Sequence, residues 1–126
     1  MKSLKLNPNI IELNKLNKFL EEIISKKDLQ VALIAEEIFV NIASYSDSDF
    51  VNVNAEYENQ TLTLEFIDDG IPFNPLLKED PETPAAIEEV EIGGLGIFLT
   101  KQMADEISYE YFNGENHLKI IKKVEQ

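Results

Sequence analysis

The amino-acid sequence predicts an α+β domain, a two-layer sandwich with helices on one face of a mostly antiparallel sheet. Three observations support this fold class. Two early segments carry apolar residues at helical spacing, two pairs of alternating segments are joined by short turns, and a glycine-rich run opens a third helical segment. The predicted order is strand, two helices, two strands, an irregular segment, a helix and two strands.

The composition is that of a single globular domain spanning residues 1–126. Hydrophobic residues make up 44% of the chain and charged residues 28%, which suffices for a continuous core. No apolar run approaches the roughly 20 residues of a membrane span, and the start of the chain lacks the apolar core of a secretory signal. We therefore expect a cytoplasmic protein with no membrane partner. The absence of cysteine excludes disulfides and thiolate metal sites.

The net charge of −13 argues against direct binding to nucleic acid, which requires a basic face to displace counterions. The same charge constrains any polyphosphate ligand, because the chain contains no arginine. Bound phosphates would depend on Mg²⁺, on helix-terminal amides and on a few lysines. A metal requirement is therefore expected for any such ligand.

The first part of the chain predicts an edge strand followed by two helices. Residues 1–6 alternate weakly, and Asn7-Pro8 is typical of a helix start, with Asn as the cap. Asp28 is the expected cap of the second helix, from about Leu29 to Ser44. The first helix is predicted to run to about Ser25. The apolar positions that predict it are Ile10, Leu13, Leu16, Leu20 and Ile23.

The second helix is apolar nearly all round, which predicts that it is buried. Its polar residues therefore need partners, because a buried carboxylate or amide is costly alone. Glu37 and Asn41 are four residues apart and share one face of the helix, whereas Glu36 points about 100° away and is expected in solvent. Read by themselves, Glu37 and Asn41 are equally consistent with a buried polar pair satisfied by its neighbours.

Two hairpins are predicted from alternation and from turn residues. Their members are Phe50–Glu58 and Thr61–Ile67 around Asn59-Gln60, and Ile107–Phe112 and His117–Val124 around Asn113-Gly114. Each hairpin is expected to place one face on the core. His117, the single histidine, is expected at the surface.

The stretch between the hairpins carries the strongest functional pattern. The first hairpin ends in Asp68-Asp69-Gly70, and the segment 71–92 that follows contains four of the five prolines and six acidic residues. Gly93-Gly94-Leu95-Gly96 then opens a helix from Leu95 to Ala104. Glycines at a helix start let backbone amides approach a phosphate, while a carboxylate at a strand end accepts hydrogen bonds from a ligand. Each motif alone also has a simpler interpretation, a turn for Asp-Gly and a flexible capped loop for the glycines.

Taken in order, three motifs resemble the nucleotide-site boxes of the GHKL (Bergerat-fold) ATPase superfamily. They are Glu37 to Asn41, Asp68 to Phe73, and Gly93 to Gly96. Within that superfamily the chain most resembles the serine/threonine kinases of bacterial anti-sigma factors, over about Val31 to Lys122. The resemblance implies a histidine kinase-like ATPase fold with an ATP lid at about residues 74–92.

The resemblance also implies roles for individual residues. Asn41 would coordinate Mg²⁺ on the phosphates of ATP, Asp68 would accept the exocyclic amine of adenine, and Glu37 would be the general base. The other residues implied in nucleotide binding are Gly70, Pro72, Phe73, Gly93, Gly94, Leu95 and Gly96.

The function implied by the resemblance is ATP- and Mg²⁺-dependent phosphorylation of a serine on a small anti-sigma antagonist. The same surface would sequester a sigma factor, so that the protein regulates it by partner switching, and a homodimer is implied by the resemblance alone. The lid departs from the family in offering only Lys78 as a basic residue. Two alternatives stay open: a non-catalytic binding module gated by ATP or ADP, and a histidine-kinase catalytic domain acting in trans.

Overall fold

The computed structural model describes residues 1–77 and 94–125, with only the backbone for Leu77 and residues 94–98. The elements in chain order are β1 (Lys2–Leu6), α1 (Leu13–Ile24), α2 (Leu29–Tyr45), β2 (Val51–Glu58), β3 (Thr61–Asp68), α3 (Gly94–Met103), β4 (Glu106–Phe112) and β5 (Glu115–Lys123). Short 3₁₀ turns lie at Ile10–Glu12 and Pro75–Leu77. This order confirms the predicted α+β arrangement. None of the described helices is long and apolar enough to cross a membrane.

The strands form one antiparallel sheet in the order β1-β2-β3-β5-β4. Alternate residues of β3 and β5 are buried, so one face of the sheet contributes to the core. The opposite face carries mostly polar side chains, as predicted from the alternation. The core side chains of the central strands are Val51, Val53, Ala55, Leu62, Leu64, Phe66, Leu118 and Ile120.

The start of the first helical segment differs from the prediction, because Asn9 rather than Asn7 is the capping residue, and it caps the 3₁₀ turn that precedes α1. The Asn9 Oδ1 atom accepts from the Ile11 amide at 3.0 Å, and α1 itself begins at Leu13 after the 3₁₀ turn. Ile10 was predicted on the apolar stripe but is 61% exposed. It lies in the 3₁₀ turn, which has a different period from the helix that follows.

Helix α2 forms the centre of the helical layer. Its predicted cap is confirmed, since Asp28 Oδ1 accepts from the Val31 amide at 3.0 Å. Residues Ile34, Ile38 and Phe39 are almost completely buried, but Leu33 is 38% exposed. The helix is therefore buried on most of its surface rather than all round.

The two hairpin turns carry the left-handed residues that tight antiparallel connections require. The φ angles are 53° and 61° at Asn59 and Gln60, and 53° and 75° at Asn113 and Gly114. His117 is less exposed than predicted, with a 12% exposed side chain whose ring stacks on Phe112 at a centroid distance of 4.1 Å.

Helix α3 packs against α2 and is tied to the sheet at its carboxyl end. The buried Lys122 Nζ atom donates to the Met103 carbonyl at 2.9 Å, and the Asp105 amide donates to the Ile121 carbonyl at 2.9 Å. A cation at a helix carboxyl terminus also interacts favourably with the helix dipole. Residues 78–93, which include most of the predicted lid, lie outside the described residues.

Candidate functional site

Asp68, the last residue of β3, is buried among hydrogen-bond donors. Only 2% of its surface is exposed. Its Oδ1 atom accepts from the Gly70 amide at 3.0 Å and from the Asn116 Nδ2 atom at 3.0 Å. Asp68 has this environment because the β3 alternation directs it to the same side as the core residues Leu64 and Phe66.

Burial raises the pKa of Asp68 above its ordinary value. The hydrogen bonds from Asn116 and Gly70 lower this pKa, while the negative charge of Asp69 raises it, and the effect of burial is the largest. Donors that point at a carboxylate favour its ionised form, whereas removal from water disfavours it. Burial therefore makes the ionised form of Asp68 costly, and three neutral groups, Asn116, Gly70 and the Ser46 side chain, partly offset that cost.

Asn116 of β5 is a site residue that the sequence analysis missed. It lies directly opposite Asp68 in the β3–β5 register and is 4% exposed. The predicted strand began one residue later, at His117. The available signal was the β5 alternation itself, which continues the buried positions Leu118 and Ile120 back to residue 116.

Gly70 is fixed by its close approach to the end of α2. A Cβ atom at this position would lie 2.0 Å from the Ser46 carbonyl oxygen, which accepts from the Ile71 amide at 2.7 Å. Only glycine fits so close to this backbone. The part that Gly70 is expected to play in nucleotide binding stays a prediction, while its close packing on Ser46 accounts for the residue type.

Asp69, the next residue in the chain, accepts hydrogen bonds from a loop. The Asp69 Oδ1 atom accepts from the Asp49 amide at 2.8 Å and from the Phe50 amide at 3.3 Å, which orders the loop before β2. The two consecutive carboxylates therefore divide their roles, with Asp68 facing the interior and Asp69 holding a loop.

A narrow cavity joins α2 to the ends of β3 and β5. Three of the predicted site residues, Asn41, Asp68 and Phe73, contribute to its walls. The other wall residues are Ile38, Ile42, Pro75, Tyr109, Asn116 and Leu118. Its volume of about 10 Å³ is room for about one water molecule. A nucleobase is far larger than this volume, so the walls must move apart before a base can enter.

Glu37, the remaining α2 candidate, is not one of the residues that line this cavity. Glu37 is half-buried, one helical turn before Asn41, and Glu36 is exposed as predicted. Burial raises the pKa of Glu37, and the negative charge of Glu36 raises it further. A raised pKa makes the carboxylate a better proton acceptor once it is ionised.

The glycine-rich motif opens α3, which begins at Gly94. Gly94, Leu95 and Gly96 form its first turn, and Gly93 lies outside the described residues. Pro72 is exposed, and Phe73 is half-buried with its ring stacked on Tyr45 at a centroid distance of 5.9 Å. The phosphate-cradling role of the glycines stays a prediction.

A magnesium ion would find few protein ligands here. Within residues 1–77 and 94–125, no three histidine or acidic side chains are grouped closely enough to hold a metal. Mg²⁺ commonly takes one or two protein ligands and completes its shell with substrate phosphates and water. The Asn41 amide in the cavity wall fits that donor set, with the phosphates of a nucleotide supplying further oxygens.

A larger groove of about 370 Å³ lies elsewhere, between the carboxyl half of α1 and the start of α2. Its walls are mainly the apolar residues Leu20, Ile24, Val31 and Ala32. None of the three motifs contributes to it. Size alone therefore does not identify the functional site in this fold.

Comparison with known proteins supports the nucleotide interpretation. The sequence model of a family described as the histidine kinase-like ATPase domain matches residues 12–122. No curated protein sequence matches the chain significantly.

Solved structures show the same fold. The catalytic domain of the histidine kinase ThkA has a TM-score of 0.56 at 14% identity, over 98% of this chain and 97% of that one. The histidine kinase domain of a blue-light activated kinase from Erythrobacter litoralis has a TM-score of 0.53 at 16% identity, over 91% of this chain and 60% of its own. The Acinetobacter baumannii histidine kinase AdeS has a TM-score of 0.56 at 12% identity, over 100% of this chain and 69% of its own.

Proposed function

Because the chain belongs to the histidine kinase-like ATPase domain family, we propose that it is an ATP-dependent protein serine/threonine kinase of the anti-sigma type. Family membership implies ATP binding and, in general, ATP-dependent kinase or ATPase activity. The serine/threonine specificity, the Mg²⁺ requirement and the protein partners are the parts that we add.

One observation carries the proposal. Asn41 on α2 and Asp68 at the end of β3 lie far apart in the sequence but line the same cavity. An amide oxygen suits the metal of a metal–nucleotide complex, and an ionised carboxylate accepts from the amino group of adenine. The two residues therefore offer the donor and acceptor chemistry that the phosphate end and the base end of ATP require, once the cavity of about 10 Å³ opens to admit the nucleotide.

The chain contributes positioning and proton transfer to the proposed reaction. Phosphoryl transfer is promoted mainly by alignment and by neutralising charge on the phosphate oxygens, so few catalytic groups suffice. Glu37 would take the proton of the attacking serine hydroxyl as its oxygen bonds to the γ-phosphorus and ADP leaves. Mg²⁺, when bound through Asn41, supplies the charge neutralisation that a protein without arginine lacks.

The proposed partners are a small anti-sigma antagonist, as the phosphorylated substrate, and a sigma factor, as the bound target. The resemblance of the three sequence motifs supports this assignment. The protein would then regulate transcription from the cytoplasm by partner switching, as a homodimer and without contacting DNA itself. The net charge of −13 agrees with the last point.

The decisive experiment compares Glu37→Gln with Glu36→Gln. The two variants remove the same charge from adjacent α2 residues, one half-buried and one exposed. With γ-labelled ATP, Mg²⁺ and a candidate antagonist, Glu37→Gln should stop transfer while keeping ATP affinity by calorimetry. Glu36→Gln should behave as wild type. Equal transfer by both variants would remove Glu37 from the mechanism.

The second candidate is a binding module in which ATP or ADP gates partner capture without phosphoryl transfer. The absence of arginine from the chain favours it, because kinases commonly use such cations to stabilise transition-state charge. A thermal-shift series with ATP, ADP and GTP, with and without Mg²⁺, tests the binding that both candidates share. Stabilisation by ATP without any transfer by wild type would favour the module.

A further inference from the structure

The side chain of Asn116 uses its complete hydrogen-bonding capacity inside the site. Its Nδ2 atom donates to Asp68 Oδ1 at 3.0 Å and to the Ile71 carbonyl at 2.8 Å. Its Oδ1 atom accepts from the Phe73 amide at 3.0 Å and from the Tyr109 hydroxyl. An amide offers two donors and two acceptor lone pairs, so none is left over.

These partners fix which way the amide points. A rotation by half a turn would set its oxygen against the Ile71 carbonyl and its NH₂ group against the Phe73 amide. Both contacts would then pair like with like in a buried site, where an unsatisfied polar group is costly. Asn116 is therefore obliged to present a donor, never an acceptor, to Asp68.

We propose that Asn116 is a positioning residue that keeps Asp68 as an ionised acceptor and thereby sets a preference for nucleobases with an amino group. This inference rests on the proposed nucleotide binding and adds the residue that determines base selection. Gly70 and Asn116 both donate to the Oδ1 atom, so a proton can reside only on the other carboxylate oxygen. Each of these donors favours the ionised form.

The expected ligand class follows from this arrangement. A base with an amino group, such as adenine, donates to the carboxylate. A base with a carbonyl at that place, such as hypoxanthine, would set acceptor against acceptor. Loss of one hydrogen bond to a charged group corresponds to about a 10- to 100-fold change in affinity. Wild type should therefore bind ATP more tightly than ITP by about that factor.

Asn116→Asp tests the inference with a change of a single group. The introduced carboxyl can still donate to Asp68 while it is protonated, whereas its ionised form places a second carboxylate against Asp68. The other groups that act on Asp68 are the Asp69 carboxylate, the Tyr109 phenol and the hydroxyl of Ser46, the residue that follows α2. Among these, Asp69 adds negative charge and so reinforces the effect.

The measurement is calorimetric titration with ATP and with ITP from about pH 6 to about pH 9, above the ordinary range of aspartate. ATP affinity of Asn116→Asp should fall about tenfold or more as the pH rises, and its ATP-to-ITP preference should shrink. The matched control is Asn113→Asp, which makes the same change at an exposed turn residue. Its ATP and ITP affinities should depend on pH as those of wild type do. Circular dichroism establishes that each variant is folded.

Should Asn116→Asp fail to fold, Tyr109→Phe removes one of the two donors that orient the amide and should give a smaller loss of ATP preference. A folded Asn116→Asp with the affinities and pH profile of wild type would overturn the inference alone. If Tyr109→Phe is the variant tested, an ATP-to-ITP preference equal to that of wild type would likewise overturn the inference. A wild type that binds neither ATP nor ITP would overturn the proposed function, and this inference with it.

Discussion

Replacement of Gly70 by alanine tests how closely the site is fitted to α2. The added Cβ atom would lie 2.0 Å from the Ser46 carbonyl oxygen, 2.7 Å from its carbon and 2.8 Å from the Ser46 Cβ atom. Two of these atoms are backbone of the α2 carboxyl terminus, so no side-chain rotation relieves the clash. The loop after β3 must move, which breaks the bond from the Ile71 amide to Ser46.

The magnitude follows from these two losses. Overpacking costs about 1–3 kcal/mol, and a lost hydrogen bond costs about 1 kcal/mol more. We therefore expect the free energy of unfolding to fall by about 2–4 kcal/mol. At roughly 3–5 °C per kcal/mol for a domain of this size, Tm falls by about 6–20 °C.

Gly114→Ala provides the control for the same chemical change. No atom lies within 4 Å of its added Cβ, but its φ of 75° is unfavourable for alanine. That strain costs about 1–2 kcal/mol without any effect on the site. Urea unfolding followed by circular dichroism gives the free energies, and calorimetry gives ATP affinity. The reasoning is refuted if Gly70→Ala destabilises no more than Gly114→Ala and binds ATP as wild type does.

Three further predictions separate binding from stability. Asp68→Asn should lose most ATP affinity and keep its fold, whereas Asp69→Ala should lose about 1 kcal/mol of stability and keep ATP affinity, both measured by calorimetry and urea unfolding. Because burial raises the pKa of Asp68, the folded state binds its proton more tightly. The stabilisation from this tighter proton binding is complete below the ordinary pKa of aspartate and is lost as the pH rises through the raised pKa of Asp68. In a pH series of unfolding free energies, Asp68→Asn should lack this decrease. Lys122→Met should cost about 1–2 kcal/mol through its lost bond to Met103, while the exposed Lys119→Met should cost less than about 0.5 kcal/mol in urea unfolding.

Local signals predicted the elements that depend on neighbouring residues. The turns at Asn59-Gln60 and Asn113-Gly114 need left-handed backbone, which these residue types tolerate, and the structure has it there. The Asp28 cap is likewise a contact within one turn of helix. The Asn7-Pro8 pair predicts Asn7 as the cap, because Pro favours the first helical position. In the structure the capping oxygen belongs to Asn9, which only the observed hydrogen bond identifies.

The site was predictable only in part, because the positions of Asn116 and Gly70 depend on contacts between segments that are distant in the sequence. Asn41 and Asp68 stand in recognisable motifs, and the structure places both beside one cavity. Asn116 stands in no motif, and its importance follows from pairing between β3 and β5. The packing of Gly70 on Ser46 is also invisible in the sequence, since it depends on where α2 ends relative to the sheet.

The sheet register is therefore what assembles the described part of the site. Leu62, Leu64 and Phe66 on β3 point into the core, and the next inward position is Asp68. A shift of one residue would turn Asp68 outwards and expose those three side chains, so the hydrophobic core fixes the carboxylate as well. Because burial opposes the ionisation of Asp68, the same packing that stabilises the fold also places a costly carboxylate where the amino group of a ligand can donate a hydrogen bond to it. Asp68→Asn should thus leave the ligand-free protein at least as stable as wild type near neutral pH. A less stable variant in urea unfolding would contradict this reasoning, because it would show that the carboxylate stabilises the fold.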